Sequence, residues 1–471
     1  MKTGIWFRGD LRRLDNPAVT AALESSRAND SEAVVHALYI ACPKQWELHD
    51  WAPIKIDLLW RHLEQFRQEL AEFGILLDIE IADDWRAAPK VVHQFCQRHQ
   101  LSQLHANAEY PVHEQRRDRA VSKWLADNQC SLQLHHGLLL VPPVVKTQQG
   151  NVYQKFTPFN RAWREHLALT GIAPLKSWNR IAQPLPLEPM PTCPAPRRDS
   201  SAWVVGEENC RRALQRYVEE HVQDYDAERD FPALDTTSRL SPYWELGCLG
   251  PVTAARALQK LSPEFPYGLE QGADTWLTEL AWREFYQHLM CHIPRLSYGK
   301  AFQQHTDAFP WRDADDDFQR WCDGQTGFPI VDAGMRQLKR EGWMHNRVRM
   351  IVANFLVKDL RIDWRKGEKY FMQNLIDGSF PANNGGWQWS ASTGTDAVPY
   401  FRVFNPTRQS EKVDPDGSYI RKWIPELAKC PTKQIHAPLL WLQASGNEDY
   451  PKPMVDHSEA REAFLSAFKA L

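Results

Sequence analysis

The chain has 471 residues, of which 43% are apolar and 24% charged, with a formal net charge of −3. That length exceeds one ordinary core, so two or more domains are expected, and the acidic balance excludes a generally adhesive nucleic-acid binder. The longest uncharged apolar run, 137–145, is too short to span a bilayer, and the charged N-terminus MKTGIWFRGDLRR lacks the apolar core of a signal peptide, so a cytoplasmic protein is expected.

The first third alternates two periods. GIWF (4–7), AVVHALYIA (33–41), ILLDIEIA (75–82) and LSQLHANAEY (101–110) read as buried strands. Between them, 54–74, 88–99 and 113–128 have helical spacing, with Gly74 as a stop just past the first. This predicts an α/β domain with a doubly wound parallel sheet over 1–133. No GxGxxG follows the first strand, so a ligand here binds without that fingerprint. From 134 to 204 regular pattern is lost, and the seven prolines of 173–198 predict an extended interdomain linker. Beyond 205 the segments 207–222, 250–261, 275–293, 329–342 and 346–360 are helical, with no strand alternation and no repeat period. An irregular all-α domain over 205–471 is expected.

Charge is uneven along this helical part. Residues 336–369 hold ten Lys/Arg against four Asp/Glu, and 397–433 hold seven against four, whereas 205–250 hold five against ten. A local basic groove for phosphates and solvated helix faces both account for this. The nine scattered cysteines contain no CxxC pair, so free, mostly buried thiols are expected and no metal site. Twenty tryptophans exceed the needs of packing. Indole stacks on flat rings and carries an electron hole, which suggests a flat ligand.

Four helical-domain segments are unusual together. TSRLS (237–241) is a hydroxyl-rich helix start, or a holder of pyrophosphate. ELAWREFY places Glu279, Trp282, Arg283 and Tyr286 on one face, polar and aromatic where a core face would be aliphatic. GWMHNRVRM sets Asn346, Arg349 and Met350 on one stripe. NLIDGSFPANNGGWQW supplies Asp377, Asn383, Trp387 and Trp389, and reads as a turn at Gly385 and Gly386 leading into a helix. As mere structure, the four would leave many polar groups inside one domain.

These residues carry a resemblance. WFRGDLRRLDNPA, KFTPFNRAW, the run GWMHNRVRMIVANFLVKDLRIDWRKGEKYFMQNLIDG and ANNGGWQWSASTGTDAVPYFRVFNP are similar to the photolyase/cryptochrome family. Within it, bacterial class I cyclobutane pyrimidine dimer photolyases are the nearest in pattern, and the match covers almost the whole chain. The resemblance implies FAD, reduced and anionic when active, in the helical domain. Tyr225, Thr237, Ser238, Arg239, Leu240 and Ser241 would contact it, with Gly378 and Ser379 beside them. Arg349 and Asp377 would pair beside the flavin ring, and Asn383 would face its N5. Ser379 stands where the family usually has a second Asp.

The resemblance also implies an electron relay through Trp387, Trp364 and Trp311. Glu279, Trp282, Asn346, Met350 and Trp389 would line a pocket for a flipped-out dimer, and Arg283, Arg347, Arg402, Gln409 and Lys412 would add DNA contacts. The related (6-4) enzymes carry histidines where Asn346 and Met350 stand. The implied partner is UV-damaged DNA, single- or double-stranded, without sequence preference, bound by a monomer. The alternative activities are a cryptochrome-type photoreceptor and a dark flavin oxidoreductase. Asn383, the intact pocket and the short tail favour repair over the first, and the lack of a second dinucleotide motif disfavours the second. An antenna of 5,10-methenyltetrahydrofolate is implied, with Glu114 as anchor, although His113–Glu114 replaces an Asn–Glu pair and Ser297–Tyr298 a Cys–Lys pair. A deazaflavin is the alternative there.

Overall fold

The computed structural model describes residues 2–28 and 33–471. Met1 and 29–32, within the expected first domain, lie outside them. The chain groups into two compact units, Met1–Gln223 with Ser238–Ser297, and Asp224–Thr237 with Tyr298–Leu471.

The first unit is built on a sheet of five parallel strands in the order β3-β2-β1-β4-β5. They are β1 (Thr3–Phe7), β2 (Val35–Ala41), β3 (Ile75–Ile81), β4 (Gln103–Asn107) and β5 (Ser131–His135). Ile5 of β1 pairs with Ala37 on one side and His105 on the other. Chain order reverses there, so the crevice beyond the carboxyl ends of β1 and β4 is the switch point where such sheets bind ligands. The loop after β1 is shaped internally. Asp10 accepts from Arg8 N at 2.7 Å and from Asn107 Nδ2 at 2.6 Å, and Asn16 caps the helix Pro17–Arg27 by accepting from Val19 N at 3.2 Å. Arg12 donates to Gly247 O at 3.1 Å. Gly247 has φ 72°, and a Cβ on it would lie 2.1 Å from Gly9 O, so only glycine allows this approach.

Three expectations are corrected. Strand β5 was unforeseen, and the boundary expected at 133 falls inside it. SLQLH is an edge strand, half-exposed, and carries too few apolar residues to announce itself. Second, the stretch 134–204 is not patternless, for it holds the helix Phe156–Thr170. Pro158 reads as a breaker, yet in the first turn it has no hydrogen bond to lose. The remainder, 136–155 and 171–204, has neither helix nor strand. Third, residues 205–223 and 238–297 group with the sheet unit, not with the later helices.

The helix Gln271–His292 closes the first unit. Its buried Glu284 accepts from Trp163 Nε1 at 2.6 Å, from Val141 N at 3.1 Å and from Leu140 N. The second unit is helical around a core that includes Trp321, Val352, Leu356, Trp364, Phe371 and Trp387. The expected helix 346–360 is α over Asn346–Asn354 and then a π turn over Phe355–Asp359. All nine cysteines are free, with Cys193 and Cys291 half-buried and the rest buried. Among the described residues no helix is long and apolar enough to cross a membrane, and no His/Cys/Asp/Glu group is arranged to hold a metal.

Candidate active site

In the second unit, His345 starts the helix Asn346–Asn354 by accepting from Arg347 N at 3.2 Å. One turn on, Arg349 Nη2 meets Asp377 Oδ2 at 2.8 Å and Oδ1 at 3.0 Å, while its Nε holds Met344 O at 2.8 Å. The Nη2 and Nε bonds together fix the plane of the guanidinium. Gly378 turns the chain through a bond to Leu375 O at 3.3 Å, and Ser379 then opens the helix Phe380–Ser390.

Gly385 and Gly386 lie inside that helix, so the expected turn is absent. The helix forms because Pro381 sits in its first turn and a polar ladder runs along one side. Asn383 Nδ2 donates to Glu368 O at 2.9 Å, Asn384 Nδ2 to Glu368 Oε1 at 2.8 Å, and Gln388 Nε2 to Asn384 Oδ1 at 2.9 Å. Phe302 N donates to Gln388 Oε1 at 2.8 Å and ends the ladder. Sequence reasoning named Asn383 and missed Glu368, Asn384 and Gln388. The i, i+4 spacing of the last two was the available signal. A Cβ on Gly386 would meet nothing within 4 Å, so open space borders the helix there.

Trp387 is 2% exposed. Phe371 packs on it at 4.9 Å and 77°, and Trp321 at 6.1 Å and 71°. A Cβ on Gly367 would lie 2.2 Å from Trp387 Cη2, so the indole rests on a bare backbone. Gly367→Ala is therefore expected to cost about 1–3 kcal/mol by overpacking and to shift the Trp387 fluorescence. A thermal midpoint equal to the wild type would contradict this packing. Trp364 is fully buried at the start of the helix Trp364–Asn374, which Asp363 caps by accepting from Arg365 N at 3.0 Å. Trp311 is half-buried, 4.3 Å from the Phe309 ring. A parallel bridge between Arg312 and Ile362 lays their two segments side by side. The three indoles thus sit in one unit, two buried and one reaching solvent.

Tyr225 begins the short helix Tyr225–Glu228, with the Arg229 guanidinium 5.1 Å from its ring. Thr237 belongs to the second unit, and Ser238, Arg239, Leu240 and Ser241 to the first. Arg239 has φ 48°, a left-handed conformation that a non-glycine residue adopts at a cost. Leu240 precedes the helix Ser241–Glu245.

The residues expected at the lesion divide likewise. Glu279, Trp282 and Arg283 lie on Gln271–His292 in the first unit. Trp282 is half-buried, one face stacked on Phe156 at 3.6 Å and 7°. Arg283 donates to Leu138 O at 3.0 Å, and burial lowers its pKa, so this guanidinium shapes its own unit. In the second unit Asn346 is exposed, and Met350 and Trp389 are half-buried. Arg347 binds Asp230 Oδ1 at 2.9 Å, which offsets part of its charge. Arg402 and Lys412 are exposed, and Gln409 is half-buried.

Glu114 lies on the helix Val112–Ala126 of the first unit, its Oε2 buried without a partner. Burial, then the charge of Glu109, pushes its pKa up to about 7. The His113 ring is 6.2 Å from that of His49, and Trp46 and Trp51 stack at 5.8 Å. Buried acceptors and donors without protein partners call for a water, an ion or a ligand. In the second unit Thr236 Oγ1 and Trp387 Nε1 are also buried without partners, and with the space beside Gly386 they fit a large polar, flat group.

A parallel α/β unit is thus accompanied by a helical unit that holds an Arg–Asp pair and three tryptophans. Residues 3–184 match the family model described as DNA photolyase, and 276–470 the one described as FAD binding domain of DNA photolyase. The deoxyribodipyrimidine photo-lyase of Vibrio cholerae is 44% identical over 99% of this chain and 98% of its own, and that of Escherichia coli 43% over the same shares. Among solved structures, a class III photolyase from Agrobacterium tumefaciens superposes with a TM-score of 0.82 at 35% identity, covering 99% of this chain and 97% of its own. A Synechocystis cryptochrome superposes with 0.85 at 27%, covering 99% of each chain. This chain belongs to the DNA photolyase family and carries its FAD-binding domain.

Proposed function

We propose that this protein is a class I repair enzyme that binds UV-damaged DNA and splits cyclobutane pyrimidine dimers in light. FAD, when bound in its reduced form, supplies the light-driven electron that opens the cyclobutane ring. The observation that carries this reading is Asn383, set on its helix by Glu368 O. A primary amide has no acidic proton to give, so it can face the flavin without trapping the electron by protonation. Arg349, held by Asp377, would supply positive charge that favours a reduced, anionic ring. Trp387, Trp364 and Trp311 prepare the cofactor by passing electrons inward.

In the first unit Glu279 offers a hydrogen bond to a thymine edge and Trp282 a flat wall, and in the second unit Asn346 and Trp389 offer the same. A dimer is already poorly stacked, so extruding it costs less than extruding a sound pair. The enzyme acts as a monomer in the bacterial cytoplasm, and recognises the lesion without regard to sequence. Competition binding tests this. A single dimer in an oligonucleotide should raise affinity by about three orders of magnitude over the same undamaged strand. Equal affinity for both would favour the photoreceptor alternative.

The antenna we assign is methenyltetrahydrofolate, anchored on Glu114. A pterin amide edge donates N–H, so it needs the ionised carboxylate. With the free-site pKa pushed up to about 7, that form dominates above neutrality and is lost below it. Folate affinity should fall by up to tenfold per pH unit below pH 7. Glu114→Gln should flatten the profile. A deazaflavin that binds where folate does not would overturn the assignment.

A further inference from the structure

The π turn Phe355–Asp359 widens its helix by one residue, a distortion that concentrates at functional positions. It carries Lys358, which is 0% exposed, a rare state for lysine. Lys358 Nζ donates to the backbone carbonyl of Arg402 at 3.0 Å and lies 5.4 Å from the Phe464 ring. Burial lowers its pKa to about 7. Buried Asp359 binds His457 at the start of the helix His457–Lys469. Tyr400 stacks on Phe468 of that helix at 4.9 Å and 4°.

Two of these contacts, at Tyr400 and Arg402, fall in 391–405, a stretch with neither helix nor strand. Its near end is tied to the lesion side, since Val398 N donates to Trp389 O at 3.3 Å and Ser392 Oγ to Val398 O at 2.7 Å. Tyr400 is held by Phe468, and at the far end Lys358 turns the carbonyl of Arg402 inward while its side chain stays exposed. An apolar residue would suit the core at Lys358 better than an amine that must be desolvated. What the amine provides is a hydrogen bond to one loop carbonyl.

We propose that Lys358 is a positioning residue for DNA binding, fixing the 398–403 loop so that Arg402 meets a backbone phosphate at the damaged site. This rests on the reading of Arg402 as a phosphate contact. Lys358→Met keeps the volume and removes the donor. It should weaken binding of dimer-bearing DNA about tenfold and lower the slope of log K against log salt by about 1, as Arg402→Ala should. The double variant should bind no more weakly than either. Thermal stability and the yield of splitting per bound dimer should stay at wild-type values, and amide exchange over 398–403 should accelerate.

Wild-type affinity and slope in Lys358→Met, beside a weakened Arg402→Ala, would overturn the inference and leave the DNA reading intact. Wild-type binding by Arg402→Ala would instead refute the DNA role of Arg402, and with it this proposal, whatever the exchange rates. If Lys358→Met does not fold, Tyr400→Ala releases the same loop at Phe468 and must show the same losses. Wild-type affinity and slope there would overturn the inference.

Discussion

Trp387→Phe is expected to slow photoreduction of the bound flavin by at least ~100-fold, a rise of ~2.7 kcal/mol in the effective barrier. Phenylalanine fills much of the space but gives up an electron far less readily than indole. Repair by chemically prereduced enzyme should persist, because the relay prepares the cofactor and takes no part in splitting. The packing makes a second, linked forecast. The six-membered end of the indole lies over Gly367, so the smaller ring leaves a gap there. Gly367→Ala should strain the wild type and refill the Trp387→Phe variant, giving a clear non-additive coupling in stability. Transient absorption of the single variant and melting of the double one check both halves. Unchanged photoreduction would remove Trp387 from the relay.

Asp332→Ala should be the most damaging single change to stability. This carboxylate is 0% exposed. It accepts from Thr326 N at 2.7 Å, Thr326 Oγ1 at 2.6 Å, Gly327 N at 3.0 Å and Tyr450 Oη at 2.5 Å. Alanine would strand several buried donors at once, at a cost of about 3–5 kcal/mol. That is a large share of the ~5–15 kcal/mol that holds a typical domain folded. The loss should reach the site as well. The helix Pro329–Glu341 carries Asp332, and Gly342 just beyond it accepts from Ile376 N at 2.7 Å, next to Asp377. Flavin affinity should therefore fall together with the melting temperature. A loss below about 1 kcal/mol would show that water replaces the carboxylate.

What could be read in advance depended on how local each signal was. Strands β1 and β2 are near-continuous apolar runs largely buried on both faces, β3 is an apolar run broken by Asp78 and Glu80, and all three appear within two residues of expectation. The helix Ala88–His99 has a clean apolar stripe and matches end for end. Strand β5 depends on a single neighbour, and Phe156–Thr170 hides behind an early proline, so neither had a local signature. The site divides in the same way. Arg349, Asp377, Asn383 and the tryptophans were named through a long family pattern. Glu368, Asn384 and Gln388 matter through bonds that join separate segments, which spacing alone does not reveal. Lys358 looked like one more charge in a basic run, and only its burial against a loop carbonyl sets it apart. Arg283 and Arg347 were legible as cations, but their engagement with Leu138 O and Asp230 was not.

The central claim is light-driven splitting of cyclobutane dimers, and one measurement addresses it directly. The purified protein, loaded with FAD and chemically reduced, is mixed with an oligonucleotide bearing a single thymine dimer and exposed to near-ultraviolet or blue light without oxygen. The account predicts that restored thymines accumulate over many turnovers in the light, none in the dark, and none from a (6-4) lesion. Dimers that survive illumination, although the protein holds reduced FAD and binds the strand, would contradict it.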